Sequence, residues 1–232
     1  ALFAANGLLL SSWLSRTPDV KRILDLTPGQ LGFLLLFVSA GAVAGLPMAG
    51  RIAHRIGVVN AIRLGGCLLV PGVIAYGLAV QFGAPMIVAM LGLFLFGFGT
   101  GIWDVAQNLE GTIIEQALGR SIMPWFHAAF SGGTVVGAIV GAGLVWLEVP
   151  IAVHVTGACV VVVACMLWGT ARFLPMTMEA TDADQPPTDA PASTGGRSRS
   201  PWLEPRTLLI GLMVLAAAFT EGTANDWLAV AF

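Results

Sequence analysis

Long apolar segments alternate with short polar ones along most of the chain. About twenty apolar residues in a helix are enough to cross a bilayer. Six such segments and a truncated seventh are predicted, at residues 1–14, 30–49, 59–80, 84–108, 122–147, 151–173 and 206–232. The links near 81–83 and 148–150 are so short that the helices they join must be antiparallel neighbours. The pattern predicts an all-α polytopic membrane protein.

One polar stretch interrupts this pattern. From residue 175 to 205 the chain is rich in Asp, Pro, Thr, Ser, Gly and Arg and has few aliphatic residues to bury. Such composition predicts a flexible linker. The domain plan is therefore a bundle at 1–174, a linker at 175–205 and a further helix from 206. Both ends of the chain fall inside apolar segments, so we expect it to be part of a longer one.

Composition agrees with a membrane protein. Of the 232 residues, 56% are hydrophobic and only 10% are charged, against about 25% charged in an ordinary soluble domain. The net charge of -2 gives no reason to expect a nucleic-acid partner. The three cysteines form no CxxC or Cys/His pattern, so no metal or disulfide is predicted. No HExxH or GxSxG motif is present, and we expect neither an enzyme nor a cofactor.

The basic residues predict the orientation. If the first helix runs outward, eight of the eleven arginines and lysines lie on the cytoplasmic side, which the positive-inside rule favours. The linker would then be cytoplasmic. On the outer side, Thr27 and Pro28 are typical of a helix start, with Thr27 as the N-cap. Tryptophans near helix ends, such as Trp13 and Trp227, are expected to anchor at the membrane interface.

A carboxylate lies inside the fourth apolar segment. At helical spacing, Gly97, Gly101, Asp104 and Asn108 share one face. An ionisable group in a membrane helix must face protein or water, because contact with hydrocarbon costs at least about 2.5 kcal/mol. The alternative is a neutral carboxyl held by structural hydrogen bonds. We interpret this helix as one wall of a polar pathway that handles substrate or protons.

Other polar residues in apolar segments extend this pathway. His127 and Ser131 share a face of the fifth segment, although a histidine that serves packing is an equally good interpretation. Glu221 and Asn225 share a face of the seventh, where a buried hydrogen bond to another helix is the alternative. Further candidates for substrate or proton binding are Asn6 and Trp103.

Glycines recur at four-residue spacing. They are found at Gly41 and Gly45 and again at Gly133, Gly137 and Gly141. Small residues at this spacing let two helix backbones approach closely. Packing is the preferred interpretation of these rows.

The loop after the second segment resembles a known signature. Gly50-Arg51-Ile52-Ala53-His54-Arg55-Ile56-Gly57 resembles the G-x-x-x-D-R-x-G loop of the major facilitator superfamily, with His54 in place of the usual Asp. Trp103-Asp104-Val105-Ala106-Gln107-Asn108 and Phe126-His127-Ala128-Ala129-Phe130-Ser131-Gly132-Gly133 are similar to the fucose-permease-like branch, including its YbjJ-like members. A neutral histidine cannot supply the carboxylate of the usual loop.

This resemblance implies a twelve-helix transporter in the bacterial inner membrane. The chain would hold a six-helix N-terminal bundle and the first helix of a truncated second bundle, and its partners would be lipid, protons, a small polar solute and the missing bundle. Gly50, His54, Arg55 and Gly57 would form the gating loop, and Asp104 would match an acidic residue of sugar–proton symporters.

The leading hypothesis is a proton-coupled secondary transporter of a small polar solute, with sugar as one candidate, working by alternating access. A drug or metabolite efflux antiporter is the alternative within the same fold. A non-transporting membrane receptor or scaffold is the alternative of another class.

Overall fold

A computed structural model describes residues 1–173 and 204–231. The side chains of Glu221 and of residues 224–231 lie outside the description, as does almost all of the predicted linker. The chain divides into two units, Ala1–Leu174 and Pro175–Phe232. The helices of the first unit are α1 (Leu2–Leu14), α2 (Thr17–Ile23), α3 (Pro28–Ile56), α4 (Val58–Gln81), α5 (Met86–Leu118), α6 (Met123–Trp146) and α7 (Ile151–Thr170). The second unit contains α8 (Pro205–Ala231).

The described residues form helices and no strands, which confirms the predicted all-α class. Five helices are long and apolar enough to cross a membrane, namely α3, α4, α5, α6 and α7. The protein is a multi-pass membrane protein. Helix α1 has 13 described residues, and the apolar part of α8 spans Pro205–Thr220.

Two helix boundaries follow directly from local sequence. The Thr27 side chain accepts a hydrogen bond from the Gln30 backbone N–H, and the Gln30 side chain accepts one from the Thr27 backbone. This capping box confirms Thr27 as the N-cap of α3. Between α3 and α4 the chain reverses at Gly57 alone, with φ of 84°. Only glycine adopts that angle without strain, so the turn depends on it.

The short helix α2 was not predicted. It follows α1 directly and contains Pro18 in its first turn. The Asp19 carboxylate accepts hydrogen bonds from Arg16 at 3.0 Å and from Arg22 at 3.1 Å. These pairs hold the segment after α1 as a turn of helix rather than as an open loop.

The first unit consists of two groups of three helices. In one group α5 packs along both α3 and α4, and in the other α1 packs along α6 and α7. Helices α4 and α7 join the two groups. Helices α5 and α6 meet over only a few residues, although they are consecutive in the chain. A gap therefore lies between the faces of α5 and α6.

Glycines form the tightest seams in both groups. In the α1/α6 seam, Gly133 lies against the backbone of Ala4, and Gly137 lies one turn further, against Leu8. In the α3/α5 seam, Gly41 lies against Phe94 and Gly45 lies one turn further, against Phe98. A Cβ at any of these glycines would collide with backbone atoms, which confirms the packing interpretation of the glycine rows.

The two seams have the same glycine spacing, but the helix pair of one seam runs in the opposite direction to the helix pair of the other. Because the spanning helices alternate in direction, α1 runs antiparallel to α5, and α3 runs antiparallel to α6. The four-residue steps that pair α6 with α1 also pair α3 with α5. This arrangement is an inverted structural repeat, a common plan in secondary transporters. The two ends of the bundle are called here the Arg16 end, with loops 15–27, 82–85 and 147–150, and the Gly57 end, with the turns at 57 and 119–122.

One carboxylate ties α5 to α6 at the Gly57 end. Glu115 accepts hydrogen bonds from the backbone N–H groups of Ile122 at 2.8 Å and Met123 at 2.7 Å. These are otherwise unbonded donors at the start of α6. The sequence analysis did not identify this cap, because the bonds connect residues seven and eight apart across a loop.

Candidate functional site

The Asp104 carboxylate belongs to a hydrogen-bonded network on α5. Its Oδ1 accepts from the Gln107 side-chain amide at 3.0 Å and from Asn108 Nδ2 at 3.4 Å. Asn108 Nδ2 also donates to the Asp104 backbone carbonyl at 2.8 Å. Among the described residues, no hydrogen bond reaches Oδ2. One oxygen of this carboxylate is therefore fixed and the other remains available.

A buried tryptophan fixes the orientation of Gln107. The Trp103 indole N–H donates to Gln107 Oε1 at 3.0 Å. An indole nitrogen can only donate, so the amide must present its oxygen to Trp103 and its NH₂ group to Asp104. Trp103 and Gln107 are 1% and 2% exposed, whereas Asp104 and Asn108 are half-buried. The buried pair Trp103 and Gln107, called here the buried relay, thus supports the half-buried Asp104 carboxylate.

The network follows from helical spacing on a single element. Residues three and four apart lie on the same side of a helix, and Asp104, Gln107 and Asn108 satisfy this spacing. Sequence reasoning selected Asp104 and Asn108 but missed Gln107. The available signal was the four-residue step from Trp103 to Gln107, which places a donor beside an amide oxygen.

Across the gap, α6 presents His127 and Ser131. Both residues are exposed, one helical turn apart. The His127 ring contacts Phe3 of α1 edge-on, with ring centroids 5.6 Å apart, and Phe3 stacks on Phe126 at 5.3 Å. The structure thus brings the acidic group of α5 and the imidazole of α6 to the same gap.

A cavity of about 300 Å³ opens at the Gly57 end of this gap. Gln107, Glu110 and Gly111 line it from α5, and Phe3 and Phe126 line it from α1 and α6. The wall is mostly apolar, and its polar side chains are Gln107, Glu110 and Arg172. Gln107, which bonds to Asp104, therefore also lies at the wall of this cavity.

Other predicted site residues are placed differently. Trp103 is buried beside Gly66 of α4, where it supports Gln107 and is covered from any solute in this structure. Asn6 is buried on α1, the helix that packs against α6. The side chains of Glu221 and Asn225 lie outside the description.

Most of the predicted gating loop is helical, because α3 continues through its last two turns to Ile56 before the chain turns into α4. Gly50, His54 and Arg55 are exposed and Gly57 makes the turn. A hydrogen bond of 2.8 Å from Asn60 Nδ2 to the Ile56 carbonyl completes the turn.

The expectation that Trp13 anchors at the membrane interface was wrong. Its side chain is 2% exposed and lies in an aromatic cluster, edge-on to Tyr76 at 6.3 Å and to Phe96 at 5.7 Å. The ring fills the centre of the bundle near the Arg16 end. Helix-end position alone misled the prediction, because Tyr76 of α4 and Phe96 of α5 pack against this ring.

Comparison with known proteins supports a transport role. The chain is 32% identical over 228 residues to an uncharacterized transporter of Sinorhizobium fredii, covering 98% of this chain and 56% of that protein. It is 30% identical over 231 residues to an uncharacterized MFS-type transporter of Yersinia pestis, covering 98% of this chain and 55% of that protein. The membrane protein MosC of Rhizobium meliloti is 32% identical over 136 residues, which are 58% of this chain and 32% of MosC.

No protein-family model matches the chain, and no solved structure matches it. The chain spans about half the length of the bacterial relatives it matches over nearly all of its own length. Two of these relatives are named as transporters, and one of the two is named as an MFS-type transporter.

Proposed function

We propose that this chain forms the first bundle of a proton-coupled secondary transporter for a small polar solute, with monosaccharides as the first class to test. The observation that carries the proposal is the half-buried Asp104 carboxylate at the α5/α6 gap, which has one oxygen fixed by Gln107 and one with no hydrogen bond from the described residues. Asp104 takes and releases the proton, while Asn108, His127 and Ser131 line the path.

The energetics of the bilayer favour a functional carboxylate here. A carboxylate in a membrane helix costs at least about 2.5 kcal/mol unless it faces protein or water. A carboxylate that serves only the fold would be expected to have both oxygens bonded within the protein. Among the described residues, Asp104 has hydrogen bonds to one oxygen alone, and its side chain is only half-buried. This arrangement suits a group that alternates between charged and neutral states.

The helix arrangement supports alternating access. Glycine seams lock α1 to α6 and α3 to α5, so that each group moves as a unit. The contact between α5 and α6 is sparse, and the candidate residues lie along it. Small movements between the two groups would therefore change access to Asp104 without breaking the tight seams. The larger rocking motion of such carriers takes place against a second bundle.

The role of Asp104 is tested by Asp104→Asn in the intact protein reconstituted in liposomes that contain a pH-sensitive dye. Radiolabelled monosaccharides, L-fucose among them, are the probes. We expect the variant to lose solute-driven proton entry and gradient-driven uptake, while exchange of labelled for unlabelled sugar continues, because exchange needs no net proton transfer. Asp25→Asn is the matched control, since Asp25 is exposed in a loop with φ of 50°, an angle that asparagine tolerates.

Unchanged proton entry in Asp104→Asn would contradict the assigned role. If no monosaccharide moves in wild-type liposomes although drug-like cations are extruded, the efflux antiporter is correct instead. Absence of any flux would favour the receptor or scaffold.

A further inference from the structure

The hydrogen bonds around Asp104 distinguish its two carboxyl oxygens. Gln107 and Asn108 donate to Oδ1 at 3.0 Å and 3.4 Å, and no hydrogen bond from the described residues reaches Oδ2. In a neutral carboxyl one oxygen carries the hydrogen and the other can only accept. Because Oδ1 faces two donors, it is the accepting oxygen. The hydrogen of the neutral form therefore belongs on Oδ2.

The Trp103 indole determines which way the Gln107 amide points. A side-chain amide has a donor end and an acceptor end, and turning it over exchanges the two. In the turned orientation the NH₂ group of Gln107 would face the indole N–H, and two buried donors would meet without an acceptor. Such an arrangement is unfavourable because neither donor is satisfied. Trp103 therefore keeps the donor end of Gln107 on Asp104.

A donor held in this orientation acts differently on the two protonation states of Asp104. A hydrogen bond to an ionised acceptor is stronger than one to a neutral acceptor, so the Gln107 N–H favours the carboxylate. A turned amide would instead present its oxygen to Asp104, where it could accept from the neutral carboxyl and favour that form. The orientation imposed by Trp103 therefore helps Asp104 to release its proton.

Burial keeps water from replacing either partner in the buried relay. Gln107 borders the cavity at the Gly57 end, but only 2% of its surface is accessible, and Trp103 is 1% exposed. The neighbouring helix α4 holds the indole in place, since Gly66 leaves the space next to the ring. Asp104 itself is half-buried, so protons can reach it. The buried relay thus acts on Asp104 from the dry side of α5.

We propose that Trp103 and Gln107 are positioning residues for proton transfer, which make Oδ2 of Asp104 the oxygen that takes and releases the proton and set the pH at which it does so. The inference rests on the proposed role of Asp104 as proton carrier and deepens it. On release the Oδ2–H bond breaks, its electron pair stays on the carboxylate and the proton passes to water. The buried relay carries no proton itself, because its indole and amide groups do not titrate near neutral pH.

The test is an infrared pH titration of the purified intact protein in detergent. The carbonyl stretch of a neutral carboxyl reports protonation, and the band that disappears in Asp104→Asn belongs to Asp104. Gln107→Met keeps nearly the same side-chain length but has no donor. We expect the midpoint of the Asp104 band to rise by about one pH unit, which corresponds to one lost hydrogen bond. The band should also move to higher frequency, because the Oδ1 carbonyl loses its main donor.

Trp103→Phe gives a second measure, because it leaves Gln107 in place and removes only the group that orients it. We expect the midpoint to move in the same direction by about half a unit, since the released amide can face either way. Thr112→Val is the matched control. It removes a hydroxyl of the same helix that donates at 3.0 Å to the Asn108 carbonyl and makes no hydrogen bond to Asp104. Its midpoint should equal that of the wild type.

The outcomes separate this inference from the proposed function. An Asp104 band that titrates with the same midpoint in wild type, Gln107→Met and Trp103→Phe would overturn the inference alone, because the proton carrier would work without its positioning residues. A wild-type band at the frequency of a carbonyl without a hydrogen bond would also overturn it, and that measurement needs no variant of the buried relay. An Asp104 that does not titrate would overturn the proposed proton carrier and this inference with it.

Discussion

Two tryptophans at opposite ends of the bundle occupy matching places in the inverted repeat but have different surroundings. Trp103 on α5 donates to Gln107 one turn later, and through it supports Asp104. Trp13 on α1 is equally buried, but the residue one turn later is Thr17, and among the described residues neither side chain has a hydrogen-bond partner. At the Gly57 end an amide oxygen accepts from the tryptophan N–H, whereas at the Arg16 end no described group does. The residue type one turn after the tryptophan therefore decides whether its N–H is bonded within the helix.

The largest expected effect tests the seams that hold both ends in place. In Gly133→Leu the new side chain would collide with the Ala4 backbone, which cannot yield locally. We expect a loss above about 4 kcal/mol in the free energy of unfolding, the range of severe core overpacking. Gly132→Leu is the control, because Gly132 is exposed with nothing near its Cβ position. Denaturant unfolding followed by tryptophan fluorescence measures the free energy of unfolding of both variants. Equal losses in the two variants would contradict the close packing of Gly133 against α1.

A smaller effect is expected when the Gly57 end is made to resemble the Arg16 end. Gln107→Thr places at Gln107 the residue type that follows Trp13, so the Trp103 N–H loses its partner and Asp104 loses one donor. We expect a loss of about 2 kcal/mol in the free energy of unfolding, the cost of a buried unpaired group. Gln116→Thr on the exposed side of the same helix should cost under about 0.5 kcal/mol. Equal costs would show that the relay does not stabilise the fold.

The smallest effect is the most direct comparison of the two tryptophans. Trp13→Phe and Trp103→Phe remove the same atoms, but only the second leaves an amide oxygen without its donor. We expect Trp103→Phe to cost about 1 kcal/mol more than Trp13→Phe in the free energy of unfolding, the net value of one hydrogen bond. The comparison uses the difference, because the loss of ring volume is common to both. An equal or reversed difference would mean that Trp13 is bonded in the folded protein.

Much of the fold could be predicted from sequence because the bilayer imposes simple rules. Apolar windows indicated the spanning helices, Thr27 and Pro28 indicated a helix start, and the glycine rows indicated close seams. On α5, helical spacing brought Asp104 and Asn108 together. Each of these signals is local, so a single chain displays it.

The rest depended on contacts between distant residues. Arg16 and His154 are 138 positions apart, and no pattern in either helix indicates that they meet. Trp13 has the sequence position of an interfacial anchor, yet Tyr76 and Phe96 from two other helices enclose it. His127 of α6 contacts Phe3 of α1 because of how these two helices pack. Such pairings are set by tertiary packing, which periodicity along one helix does not describe.

The bonds from Glu115 to the start of α6 have a mechanical consequence. They fasten α5 to α6 at the Gly57 end, while the remainder of these two helices have little direct contact. If the two helix groups separate, the bonds of Glu115 should therefore act as the hinge between them. Displacements would grow with distance from Glu115 and be largest toward the loops at 82–85 and 147–150.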